Sequence, residues 1–416
     1  MAEIIKSVRG MRDILPEQTK LWKHIELLIF NTLENFGFEE IRVPIVEELK
    51  LFQRGVGTFT DIVQKEMYVF KDRGERTLAL RPEATASVVR AYIEHQLYTR
   101  KKISRFYYSG PMFRYDRPQK DRYRQFYQIG AEIFGGESSY FDAELIIILA
   151  EILEKLEVSK YTFEVNSVGC EKCKMEYGKR LQDFLSSHET GLCQDCRVRL
   201  KNNVLRVLDC KIVSCREIIK DAPSIHEVSC NDCVKYQKTL CKILENHRVK
   251  YTENRYLVRG LDYYTRTVFE LKIGDEENAV AGGGRYDNLV GELGGPQTPA
   301  AGFAIGMDRL CNLVSPLMRK EVRVFVFFLG EKALEQGITI INSARLEGIS
   351  LISDYTERSL KNHLKLADRE GVEHVLIFGE DELSQQNFLY RNMKKKTQEK
   401  VKFDQLLNFF KGLKNA

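Results

Sequence analysis

Two ten-residue stretches, Arg105–Arg114 and Gln125–Phe134, are rich in aromatic residues and separated by a polar loop. Such a pair reads as two long antiparallel strands. Side chains of a strand alternate between its faces, so the second stretch presents two different surfaces. Gln125, Tyr127, Ile129, Ala131 and Ile133 form a mostly apolar face suited to a core. Phe126, Gln128, Gly130, Glu132 and Phe134 form the other, with an amide, a missing side chain and a carboxylate in a row. A carboxylate on a central strand is costly unless it meets positive charge. Glu132 therefore wants either a small cationic ligand lying over Gly130 or one of the chain's own arginines.

The remaining pattern surrounds this pair with an α+β domain. A first helix opens at Pro16, repeats Leu21, Ile25, Leu28, Thr32 and Phe36 on one face, and ends near Gly37. Glu40–Ile45 alternates like a strand, and Pro44 places it at an edge that suits a dimer contact. Thr77–Arg81 reads as a strand, Glu83–Glu94 as a helix, Tyr256–Gly260 and Thr265–Ile273 as strands, and Gly302–Leu310 as a strand–helix joint. Strands in hairpins with helices grouped apart indicate an antiparallel sheet. Residues of about 160–250 hold nine of the ten cysteines and read as a helical insertion within that domain. From Val322 a strand–helix–strand–helix–strand series describes a small doubly wound α/β unit. The expected division is 1–320 and 321–416.

Composition narrows the class. Hydrophobic residues make up 43% of 416, enough for real cores. No stretch approaches the roughly 18 apolar residues of a membrane span, and the start lacks the order of a secretory signal. Ten cysteines without such a signal suit reduced thiols or metal ligands in a cytoplasmic protein. The net charge of +5 is mild, so basic surfaces must come from clustering. Arg100–Arg124 has nine basic residues interleaved with aromatics, and the segment from Arg391 onward has eight. Both suit phosphates and nucleic-acid bases.

Several side chains point to chemistry by positioning and charge. Glu83 follows Pro82 at a strand-to-helix turn with Thr85 beyond it. It is either a helix-end anion or a ligand for an α-ammonium group. Arg81, Arg114, Arg259 and Arg309 each stand on or beside an expected strand, a poor place for guanidinium unless it meets phosphate or carboxylate. The Ala281–Asp287 cluster of three glycines is neither a phosphate loop nor a dinucleotide fingerprint, but it lets a ligand approach closely. None of the seven histidines falls in the strand pairs, which favours electrostatic catalysis over hydrolysis by histidine. Cys170-x-x-Cys173 and Cys193-x-x-Cys196 have the spacing of a four-thiolate zinc site, with Cys210, Cys215, Cys230 and Cys233 as a second set. The alternative is small buried cysteines, so the metal state stays open.

Together these strings resemble the histidyl-tRNA synthetases, a class II aminoacyl-tRNA synthetase family, over nearly the whole chain. Arg9–Asp13 and Arg42-Val-Pro44 resemble the first motif region; Thr77–Thr85, Phe113–Lys120 and Arg124–Glu132 resemble the second. Leu257-Val-Arg259-Gly-Leu-Asp-Tyr263-Tyr264 is the most specific string, and Ala281–Asp287 and Gly302–Leu310 complete the order. The resemblance implies that ATP, with Mg2+, and L-histidine form histidyl-adenylate, and that histidine then passes to its tRNA. It implies catalytic roles for Arg114 at the α-phosphate and for Arg259 during attack. Arg114, Arg122, Arg309 and Glu83 would bind ATP. Glu83, Thr85, Gln128, Glu132, Tyr263 and Tyr264 would bind histidine. Arg117 and Gln119 would touch the tRNA acceptor end, the insertion would clasp the acceptor arm, the C-terminal unit would bind the anticodon, and the protein would be a cytoplasmic homodimer. Departures are few: Asp116 and Asp308 stand where glutamate is more usual, and Ala84 where glycine is. A regulatory subunit of ATP phosphoribosyltransferase shares the core but typically loses the arginines and the C-terminal unit. A plain RNA-binding module explains the basic clusters but not Glu83, Gln128 and Glu132.

Overall fold

The structure is a computed structural model that describes residues 4–117, 121–276, 278–314, 323–356 and 358–415. It divides into two compact units, Met1–Leu317 and Met318–Ala416. In chain order the strands of the first unit are β1 (Glu39–Glu40), β2 (Val46–Glu48), β3 (Val69–Lys71), β4 (Thr77–Leu80), β5 (Ser104–Phe113) and β6 (Gln125–Phe134). There follow β7 (Tyr161–Ser167), β8 (Tyr251–Glu253), β9 (Thr265–Ile273), β10 (Ala281–Arg285) and β11 (Ala300–Gly306). Eight of them form one sheet in the order β1-β5-β6-β11-β10-β9-β7-β8, antiparallel except at its two ends, while β2, β4 and β3 make a small second sheet. The fold class is α+β.

Burial follows the two faces of β6. Ile129, Ala131 and Ile133 pack with Trp22, Ile25, Ile29 and Leu33 of the helix Pro16–Asn35 and with Leu145, Ile146 and Leu149 of the helix Ser139–Lys155. Each such side chain contributes roughly 1.5–3 kcal/mol when withdrawn from water, so this face fixes the sheet and frees the other for polar work. The expected strand at Glu40–Ile45 is instead split. Glu39–Glu40 joins the large sheet at its edge beside β5, and the chain re-enters a ladder only at Val46, beyond Pro44. Tyr256–Gly260 is no strand; it is a loop whose Tyr256 hydroxyl donates to carbonyls of Lys220 and Ala222.

The insertion leaves the sheet after β7 and returns at β8. It contains the helices Glu171–Ser187, Gln194–Asn202, Val213–Ile219 and Asn231–Asn246. Its cysteines group differently from the expected pairing: Cys170 and Cys173 meet Cys230 and Cys233, and Cys193 and Cys196 meet Cys210 and Cys215. The second unit has a five-stranded sheet ordered Leu351–Asp354, Val324–Leu329, His374–Gly379, Asn387–Asn392, Thr397–Lys402. Its first three strands run parallel, as a doubly wound unit requires. The last two form an antiparallel hairpin that was not expected, and it carries the basic tail. Among the described residues no helix is long and apolar enough to cross a membrane.

One buried clamp holds the sheet to its covering helix. Arg285 at the end of β10 is fully buried; its Nη2 donates to Asp142 and its Nη1 to the Gly136 carbonyl at 2.7 Å and to Asp287 at 2.9 Å. Asp142 also accepts the Tyr236 hydroxyl at 3.0 Å. Arg285→Ala is expected to destabilise the protein by roughly 3–5 kcal/mol, because Asp142 stays buried without its cation. Urea unfolding of the variant against the parent checks this, with the Arg285→Met, Asp142→Leu pair expected to recover part of the loss.

Candidate active site

The face of β6 turned away from the core continues across the sheet in register. Tyr108 of β5 flanks Gly130, followed by Ala304 of β11, Gly282 of β10, Glu270 of β9 and Glu164 of β7. A cavity of about 1070 Å³ opens over this face. Arg114, Arg122, Gln128, Arg259, Glu270 and Arg309 line it from the sheet side, and Cys193–Asp195 with Arg206 and Leu208–Ile212 of the insertion line it from above. The glycines explain why large side chains lie flat on this floor. A Cβ at Gly130 would overlap the Tyr108 ring, one at Gly282 the Arg259 guanidinium, and one at Gly302 the Glu132 carboxylate.

Glu132 lies beside the cavity, buried at 1% exposure. Of the two partners its position calls for, the arginine is not found: among the described residues it makes no ion pair. Hydroxyls hold it instead, with Thr85 Oγ1 donating at 2.7 Å and the Tyr286 hydroxyl donating to the other oxygen. Burial pushes its pKa up to about 8, and the hydroxyl hydrogen bonds offset only part of that. Tyr108, Tyr263 and Tyr286 crowd the same slot, and burial raises each phenol well above its ordinary value, so they remain donors. Tyr263 and Tyr264 rings sit 4.7 Å apart, and Tyr263 meets Tyr286 edge-on at 5.4 Å. The result is a carboxyl that rests protonated at neutral pH and lacks a base.

Glu83 does the helix-end work that its position allowed. Its oxygens accept the Thr85 N–H at 2.7 Å and the Ala86 N–H at 3.0 Å, opening the helix Thr85–Glu94. Burial nevertheless raises its pKa, against those two hydrogen bonds. Gln128 lines the cavity, and its buried Oε1 has no hydrogen-bond partner among the described residues.

The arginines divide. Arg114 gives its Nε to the Pro82 carbonyl at 2.9 Å and lies over the Phe126 ring at 5.3 Å, and Arg309 donates to the Ala279 carbonyl at 2.6 Å. Neither forms an ion pair among the described residues, and burial lowers the pKa of both. Two desolvated guanidinium groups in one hollow call for anionic oxygens. Arg122 is held by Asp116 at 2.9 Å. Arg259 pairs with Glu270, which outweighs the cost of burial and raises its pKa, while its buried Nε has no hydrogen-bond partner among the described residues. Arg81 does not belong to this group. It is a buried strut that donates to the carbonyls of Pro111 and Val43, both at 2.9 Å, and it does not line the cavity. Arg117 is exposed on the loop after β5, and Gln119 lies outside the described residues.

Sequence reasoning missed Tyr108, Tyr286 and Glu270. Each had a signal: Tyr108 and Glu270 face glycines across the ladder, and Tyr286 closes the glycine cluster. Asp308 was noted only as a departure. Buried, it accepts the Tyr127 N–H at 2.9 Å and pairs with Arg12 at 2.8 Å, which ties the helix Met307–Leu313 bearing Arg309 to the floor.

An antiparallel sheet with an arginine-lined trough beside a closed acid slot is the catalytic body of a class II aminoacyl-tRNA synthetase. Residues 10–310 match the family model of histidyl-tRNA synthetase, and residues 323–413 match that of an anticodon-binding domain. The histidine–tRNA ligase of Thermodesulfovibrio yellowstonii is 48% identical over 97% of both chains, and that of Aquifex aeolicus is 44% identical over 97% of this chain and 100% of its own. The crystal structure of apo Staphylococcus aureus histidyl-tRNA synthetase superposes with a TM-score of 0.82 at 33% identity, covering 98% of this chain and 100% of that one. The chain belongs to the histidyl-tRNA synthetase family.

Gly282→Ala tests the floor. Its new methyl is expected to push Arg259 off Glu270 and lower ATP–pyrophosphate exchange by roughly 10²-fold, the scale of losing one charge donor. Exchange assays beside urea unfolding check this, and the unfolding midpoint is expected to stay near the parent's.

Proposed function

We propose that the cavity holds ATP and the acid slot holds L-histidine, so that the two react over Gln128 and Gly282. The reaction is that of a histidine–tRNA ligase: histidine is activated to histidyl-adenylate, then transferred to the 3′ end of histidine tRNA. The observation that carries this reading is Glu132, a buried carboxyl served by hydroxyls and, among the described residues, by no ion pair, on the sheet whose cavity is lined by Arg114 and Arg309. An imidazole supplies the missing base, and analogues without one leave the slot's polar groups unpaired.

In this reading Arg114 holds the α-phosphate, and Arg309 with Arg122 holds the far end of the triphosphate. The histidine carboxylate attacks the α-phosphorus; a carboxyl–phosphate bond forms and pyrophosphate departs with the broken bond's electrons. Arg259 meets the charge that builds on the α-phosphoryl oxygens, and its partnerless Nε is the donor left over for them. Glu83 supplies negative charge near the α-ammonium group, with Thr85 and Gln128 completing that end. Glu132, Tyr263 and Tyr264 receive the imidazole. Glu66 and Glu270 line the same cavity as the arginines, so hard oxygen donors fit Mg2+ arriving with the nucleotide, where it would screen phosphate charge.

The remaining parts extend the reading. Arg117 on the loop after β5, with Gln119 two residues further along the sequence, suits the acceptor end, the insertion that roofs the cavity suits the acceptor arm, and the exposed Lys394–Lys396 turn of the C-terminal hairpin suits anticodon phosphates. A homodimer would cover the exposed Ile45, Val46, Val69 and Phe70 around the small sheet. Ten unbridged cysteines suit the cytoplasm.

Histidine-dependent ATP–pyrophosphate exchange tests the assignment, and no exchange by folded protein would overturn it. Arg259→Ala is expected to lose ~2.7–4 kcal/mol of barrier lowering while keeping most histidine affinity. The slot also sets a pH profile. Below about pH 6.5 free histidine is imidazolium and must shed a proton to share one with Glu132. Above about 8 Glu132 is ionised and must regain one. Calorimetry is therefore expected to show a plateau in affinity between these values, falling by about tenfold per pH unit on either side. Glu132→Gln is expected to weaken binding and abolish the alkaline limb alone.

A further inference from the structure

The insertion has four helices, of which Gln194–Asn202 has 9 residues and Val213–Ile219 has 7. Helices this short are marginal on their own, and a segment of this size commonly needs a staple. Eight cysteines stand where a staple would be. Cys170 and Cys173 open one helix, Cys230 and Cys233 open another, and their four sulfurs lie within 4.8 Å of one another. Cys193, Cys196, Cys210 and Cys215 form a second set within the same limit.

We propose that each set binds one zinc ion as a tetrahedral four-thiolate site. With Zn–S bonds of about 2.3 Å, the edge of such a tetrahedron is about 3.8 Å. The sulfur pairs Cys170–Cys173, Cys173–Cys233 and Cys193–Cys210 measure 3.5, 4.0 and 3.9 Å. Backbone N–H groups are aimed at the sulfurs in a reciprocal pattern. Cys170 N–H donates to Cys233 Sγ, Cys230 N–H to Cys173 Sγ, and Cys193 N–H to Cys215 Sγ, each at 3.2 Å. Such donors favour the thiolate that a metal needs. Packing alone does not account for the arrangement. A cysteine serving only as a small apolar side chain has no reason to sit exposed, as Cys230 does, with its three companions turned toward it. Sulfur-only tetrahedral sites select zinc or iron, and zinc is the one that needs no redox role.

The two sites also brace the signature loop. Lys174, directly after Cys173, donates to the carbonyls of Asp262 at 2.9 Å and Tyr264 at 3.0 Å. Arg206, between Cys196 and Cys210, donates to the Arg259 carbonyl at 3.1 Å. Each metal site would thus fix the cation that grips one end of the loop carrying Arg259 and Tyr264. This consequence rests on the functional reading above, whereas metal content does not.

Elemental analysis of the full chain, purified without chelator from zinc-supplemented cells, tests the sites. About two zinc ions per chain are expected, about one in Cys230→Ser, about one in Cys210→Ser and about none in the combined variant. Where a variant fails to fold, mercurial titration of the parent protein with a metallochromic dye is expected to release one zinc for about every four thiols blocked. Cobalt exchanged into the sites is expected to show thiolate charge-transfer bands and tetrahedral d–d absorption. Iron in place of zinc, eight thiols that titrate freely with no metal released, disulfides in the native protein, or loss of both ions from either single variant that still folds would each overturn the proposal.

Discussion

A buried acid without a cation governs this catalytic body. Glu132 sits in the middle of an antiparallel sheet, where an ionised carboxylate costs several kcal/mol unless it is matched. Among the described residues the protein does not match it with an arginine, although Arg114, Arg259 and Arg309 line the cavity over the same sheet. Hydroxyls that can only ease the cost surround it, and the group keeps its proton. In the proposed reading such a site is completed by a base, which must fit among Tyr263, Tyr264 and Tyr286. Recognition and electrostatics are therefore the same interaction, seen once from the ligand and once from the protein.

The arginine trough follows the opposite rule. Arg114 and Arg309 are desolvated cations with no ion pair among the described residues, while the charge of Arg259 is balanced by Glu270. In the proposed reading the first two lose by burial and recover with the nucleotide's phosphates, and the third changes partners as negative charge grows beside it. Acid slot and arginine trough lie next to each other on one floor because the apolar face of β6 anchors that floor from behind.

Much of this was legible in the sequence, and the misreadings have physical causes. Period-two alternation fixed the faces of β6, since only one face can be buried against the helices. The α+β class followed from hairpin pairs and grouped helices. Tyr256–Gly260 looked like a strand because local propensity is blind to whether a partner strand exists. Arg81 looked like a phosphate ligand because its true partners, the carbonyls of Val43 and Pro111, are distant in sequence. The cysteines were paired by proximity along the chain. The antiparallel return of the insertion brings Cys230 to Cys170 instead. Glu83 was open between two roles, and the geometry adds the backbone amides that sequence cannot show. The C-terminal hairpin was masked by its charge: Lys394, Lys395 and Lys396 obscure the alternation of Phe388, Tyr390 and Asn392.

The glycine paving has a consequence for how such a protein can change. At Gly130, Gly282 and Gly302 the space beyond the backbone is already filled by Tyr108, Arg259 and Glu132, residues drawn from other parts of the chain. Any single exchange that enlarges one tile evicts a working group, so amino-acid preference cannot drift by small steps across this floor. A descendant with a different taste would have to rebuild tile and tenant in one move, which makes the arrangement an evolutionary ratchet.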